Sequence, residues 1–207
     1  MNTAQNISAG QFFDVFSLRE LQSITSALEK LSDAPNQGAL FKAYTNGFST
    51  DDLIYPFIKK TVLEKAQLVL GKELKLTVGM HLKEQFPWTI HTDYVKNDQT
   101  PDLAILIPLT AQVLNTHTVV FNELCLDHFD KFIVSHDKII NNASNLWQSL
   151  MSHETADRLE YVSLQGTYQW VPGSVIYWDR RLLHSSDNFI NVGIQQKQAL
   201  VLFTNQD

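Results

Sequence analysis

Two distant stretches hold residue types able to do chemistry together: Trp88-Thr89-Ile90-His91-Thr92-Asp93-Tyr94, and Trp178-Asp179-Arg180-Arg181-Leu182-Leu183-His184-Ser185-Ser186. In an extended segment, successive side chains point to opposite faces, so His91 and Asp93 project to the same side. An imidazole and a carboxylate placed in this way can hold two neighbouring positions of one metal ion. His184, from a second extended segment, can supply a third. Two His and one carboxylate on one face, with the opposite positions open, is the arrangement of non-haem Fe(II) oxygenases. His-x-Asp alone is weak, because with 7 His and 22 acidic residues the pair arises readily by chance. The competing assignment is a hydrogen-bonded core histidine. Two neighbours strengthen the metal assignment: a polar loop, Lys96-Asn97-Asp98-Gln99, follows the motif, and Lys197 opens an apolar run beyond His184.

The elements that must position these residues change character along the chain. Gln11 to Phe16 is a short strand candidate. Ser17-Leu18-Arg19-Glu20 reads as a capping box, with Phe16 and Leu21 placed for a hydrophobic staple. Leu18, Leu21, Ile24, Leu28 and Leu31 then recur at helical spacing. Leu40 to Thr45 is a plausible strand, and a second helix is expected from about Asp51 to Leu70. Its buried side should carry Leu53, Phe57, Ile58, Val62, Leu63 and Ala66, with Pro56 in the first turns and Gly71 at the C′ position. After Gly71 the period becomes 2. Strands are predicted over Glu73–Lys83, Trp88–Thr92, Asp102–Leu109, His117–Asn122, Tyr161–Trp170, Ser174–Trp178, Leu182–Ser185 and Gln198–Thr204. Two helices followed by many short strands indicate an α+β, mainly β protein. The segment Leu124–Glu160 is less regular, with a short helix expected after Ser152, and is either a substrate-binding excursion or a packed surface segment.

With His91-x-Asp93, Pro172-Gly173-Ser174 leading into a strand, His184, and Lys197-Gln198-Ala199-Leu200-Val201-Leu202-Phe203, the sequence resembles the 2-oxoglutarate- and Fe(II)-dependent dioxygenase superfamily. The stretch His184-Ser185-Ser186-Asp187-Asn188 looks most like the phytanoyl-CoA hydroxylase and prolyl hydroxylase branches. The resemblance spans roughly residues 74 to 204. It implies a double-stranded β-helix (jelly-roll) core over 73–204, supported by helices within 1–72 and interrupted by an insertion near 124–160, in one domain over 1–207. It also implies Fe(II) held by His91, Asp93 and His184, with Lys197 pairing the distal carboxylate of 2-oxoglutarate. The implied reaction consumes O₂ and 2-oxoglutarate, releases succinate and CO₂, and hydroxylates a small-molecule or peptide substrate. Many relatives place Arg, often with Ser two residues later, where this chain has Lys197 and Ala199. Lysine cannot form the bidentate fork, so a further donor is expected, from Arg180, Arg181 or a hydroxyl such as Thr118 or Tyr177.

Composition narrows the classes. At 207 residues and 44% hydrophobic content, the chain suffices for a substantial core. No apolar run approaches a membrane span, and the start lacks the basic and apolar regions of a secretory signal. A single cysteine, Cys125, excludes an internal disulfide and a Cys-rich zinc site, so a cytoplasmic protein is expected. A net charge of −6 disfavours a general nucleic-acid surface. Three alternatives stand beside the oxygenase: a cupin-like metalloenzyme not using 2-oxoglutarate, a non-catalytic jelly-roll binding module, and a zinc hydrolase. Asp93, where a cupin usually has His, speaks against the first, and the zinc hydrolase lacks an evident general base.

Overall fold

Alternation along β-strands organises the molecule, because each central strand sends one set of side chains to helices and the other set to a second sheet. The computed structural model describes residues 8–31, 44–93, 103–110, 116–124 and 150–206. A six-stranded antiparallel sheet has the order β1-β7-β4-β9-β3-β2, formed by Ala9–Phe12 (β1), Tyr44–Phe48 (β2), Leu74–Glu84 (β3), Leu103–Pro108 (β4), Val175–Asp179 (β7) and Lys197–Gln206 (β9). A three-stranded antiparallel sheet has the order β6-β5-β8, formed by His117–Leu124 (β5), Leu164–Gln169 (β6) and Leu182–Ser186 (β8).

On β4, Leu103, Ile105 and Ile107 face the helices, while Ala104 and Leu106 face the small sheet; on β9, Leu200 and Leu202 oppose Ala199, Val201 and Phe203. The helix-side layer includes Leu21, Ile24, Ile58, Val62 and Ala66. The layer between the sheets joins Val120 and Leu182 of the small sheet to Leu82, Trp170, Ile176 and Trp178. A third cluster, with Val119, Phe121 and Leu183, lies under Met151, Leu159 and Val162 on the outer face of the small sheet. Burying a single such aliphatic or aromatic side chain is worth about 1.5–3 kcal/mol. Both faces of the large sheet are therefore sealed by apolar layers, and polar groups inside them need partners.

Helix α1 runs Leu18–Leu28 and starts at the expected capping box: Glu20 N–H donates to Ser17 Oγ, and Ser17 N–H donates to Glu20 Oε2. The second helical region is α2 (Tyr55–Ile58), a π-helical turn over Lys59–Leu63, and α3 (Glu64–Leu70), with Pro56 in its first turn and Gly71 left-handed at its end. It starts later than the periodicity suggests, so Leu53 lies before it and is fully exposed rather than buried. Leu18 is likewise exposed, as it sits on the first turn outside the buried stripe. The strand expected from Gln11 is β1, shifted to Ala9–Phe12. Of the strand expected at Leu40–Thr45, only Tyr44 and Thr45 lie in β2, and residues 40–43 are outside the described residues.

One predicted strand is absent. Trp88–Thr92 is not part of a ladder, and its single β-type contact is a bridge between His91 and His184. Pro87, just ahead, has no N–H to donate to a ladder. The short helix expected after Ser152 is present as Ala156–Leu159, while 125–149, most of the irregular segment, lies outside the described residues. Among the described residues, no helix is long and apolar enough to cross a membrane.

Candidate metal centre

His184 projects from β8 into the space between the sheets, where its ring lies 4.8 Å from that of Trp178. His91 and Asp93 come from the irregular segment after Pro87, which is pinned almost residue by residue. Trp88 N–H donates to Ser186 Oγ (2.6 Å), and Ser185 Oγ donates to Trp88 O (2.6 Å). Ile90 N–H donates to the buried carboxylate of Glu154. His91 and His184 exchange backbone hydrogen bonds of 3.0 and 2.9 Å. Thr92 Oγ1 donates to Arg180 O (2.8 Å), and Arg180 Nη2 returns a bond to Asp93 O (2.9 Å). Side chains thus do for this segment what a ladder does for a strand.

The result is a compact cluster in which ligand atoms of His91, Asp93 and His184 all lie within 4.8 Å of one another. His184 Nε2 is 3.2 Å from Asp93 Oδ2, and His91 Nε2 is 3.9 Å from Asp93 Oδ1. Each histidine has its other ring nitrogen on a backbone carbonyl: His91 Nδ1 on Thr89 O (2.7 Å) and His184 Nδ1 on Leu182 O (3.2 Å). In the neutral ring with Nδ1 as the donor, each Nε2 carries a lone pair on the side of the carboxylate, which is the tautomer and orientation a metal ligand needs. Two lone pairs and an anionic carboxylate converging in a buried place call for a cation among them.

The titration behaviour follows from the same convergence. Burial holds His91 down, to about 4, and the charge of His184 adds to the effect against the pull of Asp93. Burial would raise Asp93, but the charge and hydrogen bond of His184, with help from His91 and Arg180, bring it down to about 2. Burial would lower His184, but the charge and hydrogen bond of Asp93 raise it. Asp93 thus favours a proton on His184, and a divalent cation among the three groups would take over the same role.

The residues expected around the cosubstrate are distributed unequally. Lys197, the first residue of β9, is fully buried between the sheets. Its Nζ lies 3.9 Å from the Trp170 ring centre and 4.7 Å from that of Phe189. It is 3.5 Å from Glu84 Oε2 and 3.8 Å from Asp187 Oδ1, ion-pair distances beyond a good hydrogen bond. Thr118, on β5, accepts a 2.9 Å bond from Trp170 Nε1–H, which places its hydroxyl beside the same indole. Arg181 is turned elsewhere: Nε and Nη2 grip both oxygens of Asp179 at 2.9 and 2.6 Å across the β7–β8 turn. Arg180 is buried, with its guanidinium 4.6 Å from the Phe203 ring centre and its reach spent on Asp93 O. Tyr177 points to the helix side, stacked on Phe12 at 5.8 Å, because it alternates with Trp178.

Asn122 is exposed on β5 and donates to Ser163 Oγ and backbone O. Trp88 lies 5.6 Å from the His91 ring, while Tyr94 and Cys125 fall outside the described residues. Two carboxylates escaped the sequence analysis. Glu84 continues the inward series Val78, Met80, Leu82 on β3, and a charge at such a position is the signal that marks it. Asp187 follows β8 directly and accepts from His117 N–H at 2.6 Å, beside His117 Nδ1 at 3.0 Å.

No protein-family model and no curated protein matches the chain. Solved structures do share its fold. The non-haem α-ketoglutarate-dependent carbocyclase SnoK from nogalamycin biosynthesis superposes with a TM-score of 0.61 at 15% identity, over 97% of this chain and 80% of that one. A prolyl-4-hydroxylase from Pseudomonas putida gives 0.54 at 7% identity, over 98% and 94%. HygX from Streptomyces hygroscopicus, with nickel, 2-oxoglutarate and hygromycin B bound, gives 0.55 at 13% identity, over 96% and 82%. The likeness establishes a fold shared with 2-oxoglutarate/Fe(II) oxygenases.

Proposed function

We propose that this chain is a non-haem Fe(II), 2-oxoglutarate-dependent oxygenase with a jelly-roll core, acting on a small-molecule or peptide substrate. The observation that carries the proposal is the convergence of His91 Nε2, Asp93 and His184 Nε2, each imidazole oriented by a backbone carbonyl on its far nitrogen. Two His and one carboxylate leave positions open for a chelating cosubstrate and O₂, a set that suits Fe(II) better than a closed structural zinc site. Bound together, Fe(II) and 2-oxoglutarate would, with O₂ as the oxidant, supply oxidative decarboxylation to succinate and CO₂ and oxidation of a substrate C–H bond. The protein's own part is positioning and exclusion of water. His91, Asp93 and His184 hold the metal, and Arg180 fixes the backbone of Asp93. Lys197 offers a buried cation for the distal carboxylate, and the Thr118 hydroxyl stands beside the same Trp170 ring. We assign the anchoring role to Lys197 rather than Arg181, whose fork is filled by Asp179. HygX and the epimerase SnoN were solved with hygromycin B and a nogalamycin compound, which supports the small-molecule alternative.

Anaerobic titration of the metal-free protein with Fe(II) and then 2-oxoglutarate tests the proposal. A weak visible charge-transfer band requiring both is expected, with succinate release once a substrate is found. Iron binding without the band would redirect the assignment to a cupin-like enzyme, and no metal binding would leave a jelly-roll binding module.

A further inference from the structure

Lys197 and Glu84 are register partners on β9 and β3, and their side chains meet in the sealed layer between the sheets. Asp187 joins them from the chain just beyond β8, so one ammonium faces two carboxylates. Among the described residues, the rings of Trp170 and Phe189 also lie against that ammonium. If both carboxylates are ionised, the trio carries a net negative charge in a place with little water, and a third carboxylate arriving there deepens the imbalance. An anionic cosubstrate therefore cannot simply add itself to Lys197.

Resting on the oxygenase assignment above, we propose that Glu84 is a positioning residue that takes up one proton when the distal carboxylate of 2-oxoglutarate settles on Lys197. The bookkeeping is a single protonation: the Glu84 carboxylate gains a proton from solvent, and Lys197 is left to pair with Asp187 and the cosubstrate. Glu84 is the group suited to this change. Its Oε2 has an ion-pair contact with the Lys197 ammonium at 3.5 Å and accepts no hydrogen bond among the described residues, whereas Asp187 already accepts from His117 N–H. Among the described residues, the charged or titratable groups facing Glu84 are Lys197 from β9, Asp187 after β8 and, within electrostatic reach, His184 of β8; His117 stands behind Asp187. Burial pushes the Glu84 carboxyl up, against the charge and hydrogen bonding of Lys197. A neutral Glu84 can donate its O–H to a cosubstrate oxygen, so the proton also fixes the orientation of the bound carboxylate.

The test is calorimetric titration of 2-oxoglutarate into Mn(II)-loaded protein from about pH 6 to about pH 9, in buffers of differing ionisation heat, which counts protons exchanged. The expected wild-type result is uptake of one proton in the range where affinity falls, with Kd rising up to about tenfold per pH unit. Glu84→Gln, which keeps the shape and loses the charge, should bind 2-oxoglutarate more tightly at the alkaline end and show a flat profile. Identical pH profiles for wild type and Glu84→Gln overturn the proposal. So does a wild-type proton count of zero throughout the range, a measurement that needs no variant to fold. Failure of the metal-loaded wild type to bind 2-oxoglutarate at any pH overturns the oxygenase assignment itself and is thereby distinguishable.

Discussion

His91 and His184 sit directly opposite one another in a two-residue antiparallel bridge, each backbone N–H donating to the other's carbonyl at 3.0 and 2.9 Å. Their ring centres are 4.3 Å apart. The spacing of the two imidazoles is thus set by main-chain geometry, which a side-chain substitution nearby does not easily disturb. Asp93 is held two residues further on by Arg180, so the third member of the cluster rests on a side chain.

Replacing His91, Asp93 or His184 singly by Ala should weaken Fe(II) binding by more than the roughly 10–100-fold typical of losing an outer-shell partner. Circular dichroism should stay close to wild type, since the backbone bridge survives the truncation. Equilibrium metal titration of the three variants checks this, and retained affinity in all of them ends the ligand assignment.

Arg180→Ala should cost metal affinity about 10–100-fold without removing a ligand, because Asp93 O loses its donor and the segment after Thr92 loosens. It also removes a guanidinium packed on Phe203, so melting should shift down by the equivalent of about 1–3 kcal/mol. Arg181→Ala is the control, as its partner Asp179 lies on the β7–β8 turn: Fe(II) affinity should change little.

Lys197→Ala should raise the 2-oxoglutarate concentration needed for turnover while Fe(II) affinity persists. It should also destabilise the fold by roughly 3–5 kcal/mol, the usual cost of stranding buried charges, here Glu84 and Asp187. Lys197→Met with Glu84→Gln should recover part of that loss in thermal denaturation, because fewer charges are then left unpaired. No recovery would place the cost in packing against Trp170 and Phe189.

Metal-free protein should lose stability on both sides of a maximum. His91 is held at about 4 against an ordinary 6.5, so the unfolded chain binds more protons between those values. Its contribution is present above 6.5 and disappears as pH falls toward 4, worth up to about 3 kcal/mol at roughly 1.4 kcal/mol per pH unit. Asp93, lowered from 3.8 to about 2, extends the acid loss in the same direction. His184 is raised, so the stability of its pair with Asp93 is complete below 6.5 and fades as pH rises through its folded value. On the proposed metal assignment, a bound divalent cation would replace that proton. Metal affinity should therefore climb with pH through the His184 titration, and metal should abolish the alkaline loss seen in thermal melts.

Much of the scaffold was legible along the chain because it depends on local rules. The capping box at Ser17 and Glu20, the left-handed Gly71 and the continuous apolar run Leu103–Pro108 each follow from chemistry within a few residues. His91-x-Asp93, His184 and Lys197 stood out for the same reason, as reactive types at simple spacings beside apolar runs. The tertiary structure decided what those spacings could not. It made Trp88–Thr92 a clamped segment instead of a strand, through Ser185, Ser186 and Glu154 from distant parts of the chain. It turned Arg181 to Asp179 and Tyr177 to the helices, and it set Glu84 and Asp187 against Lys197. The physical division is one of range: alternation and capping act between neighbours, whereas desolvation of a charge depends on which strands pair and which faces close over it.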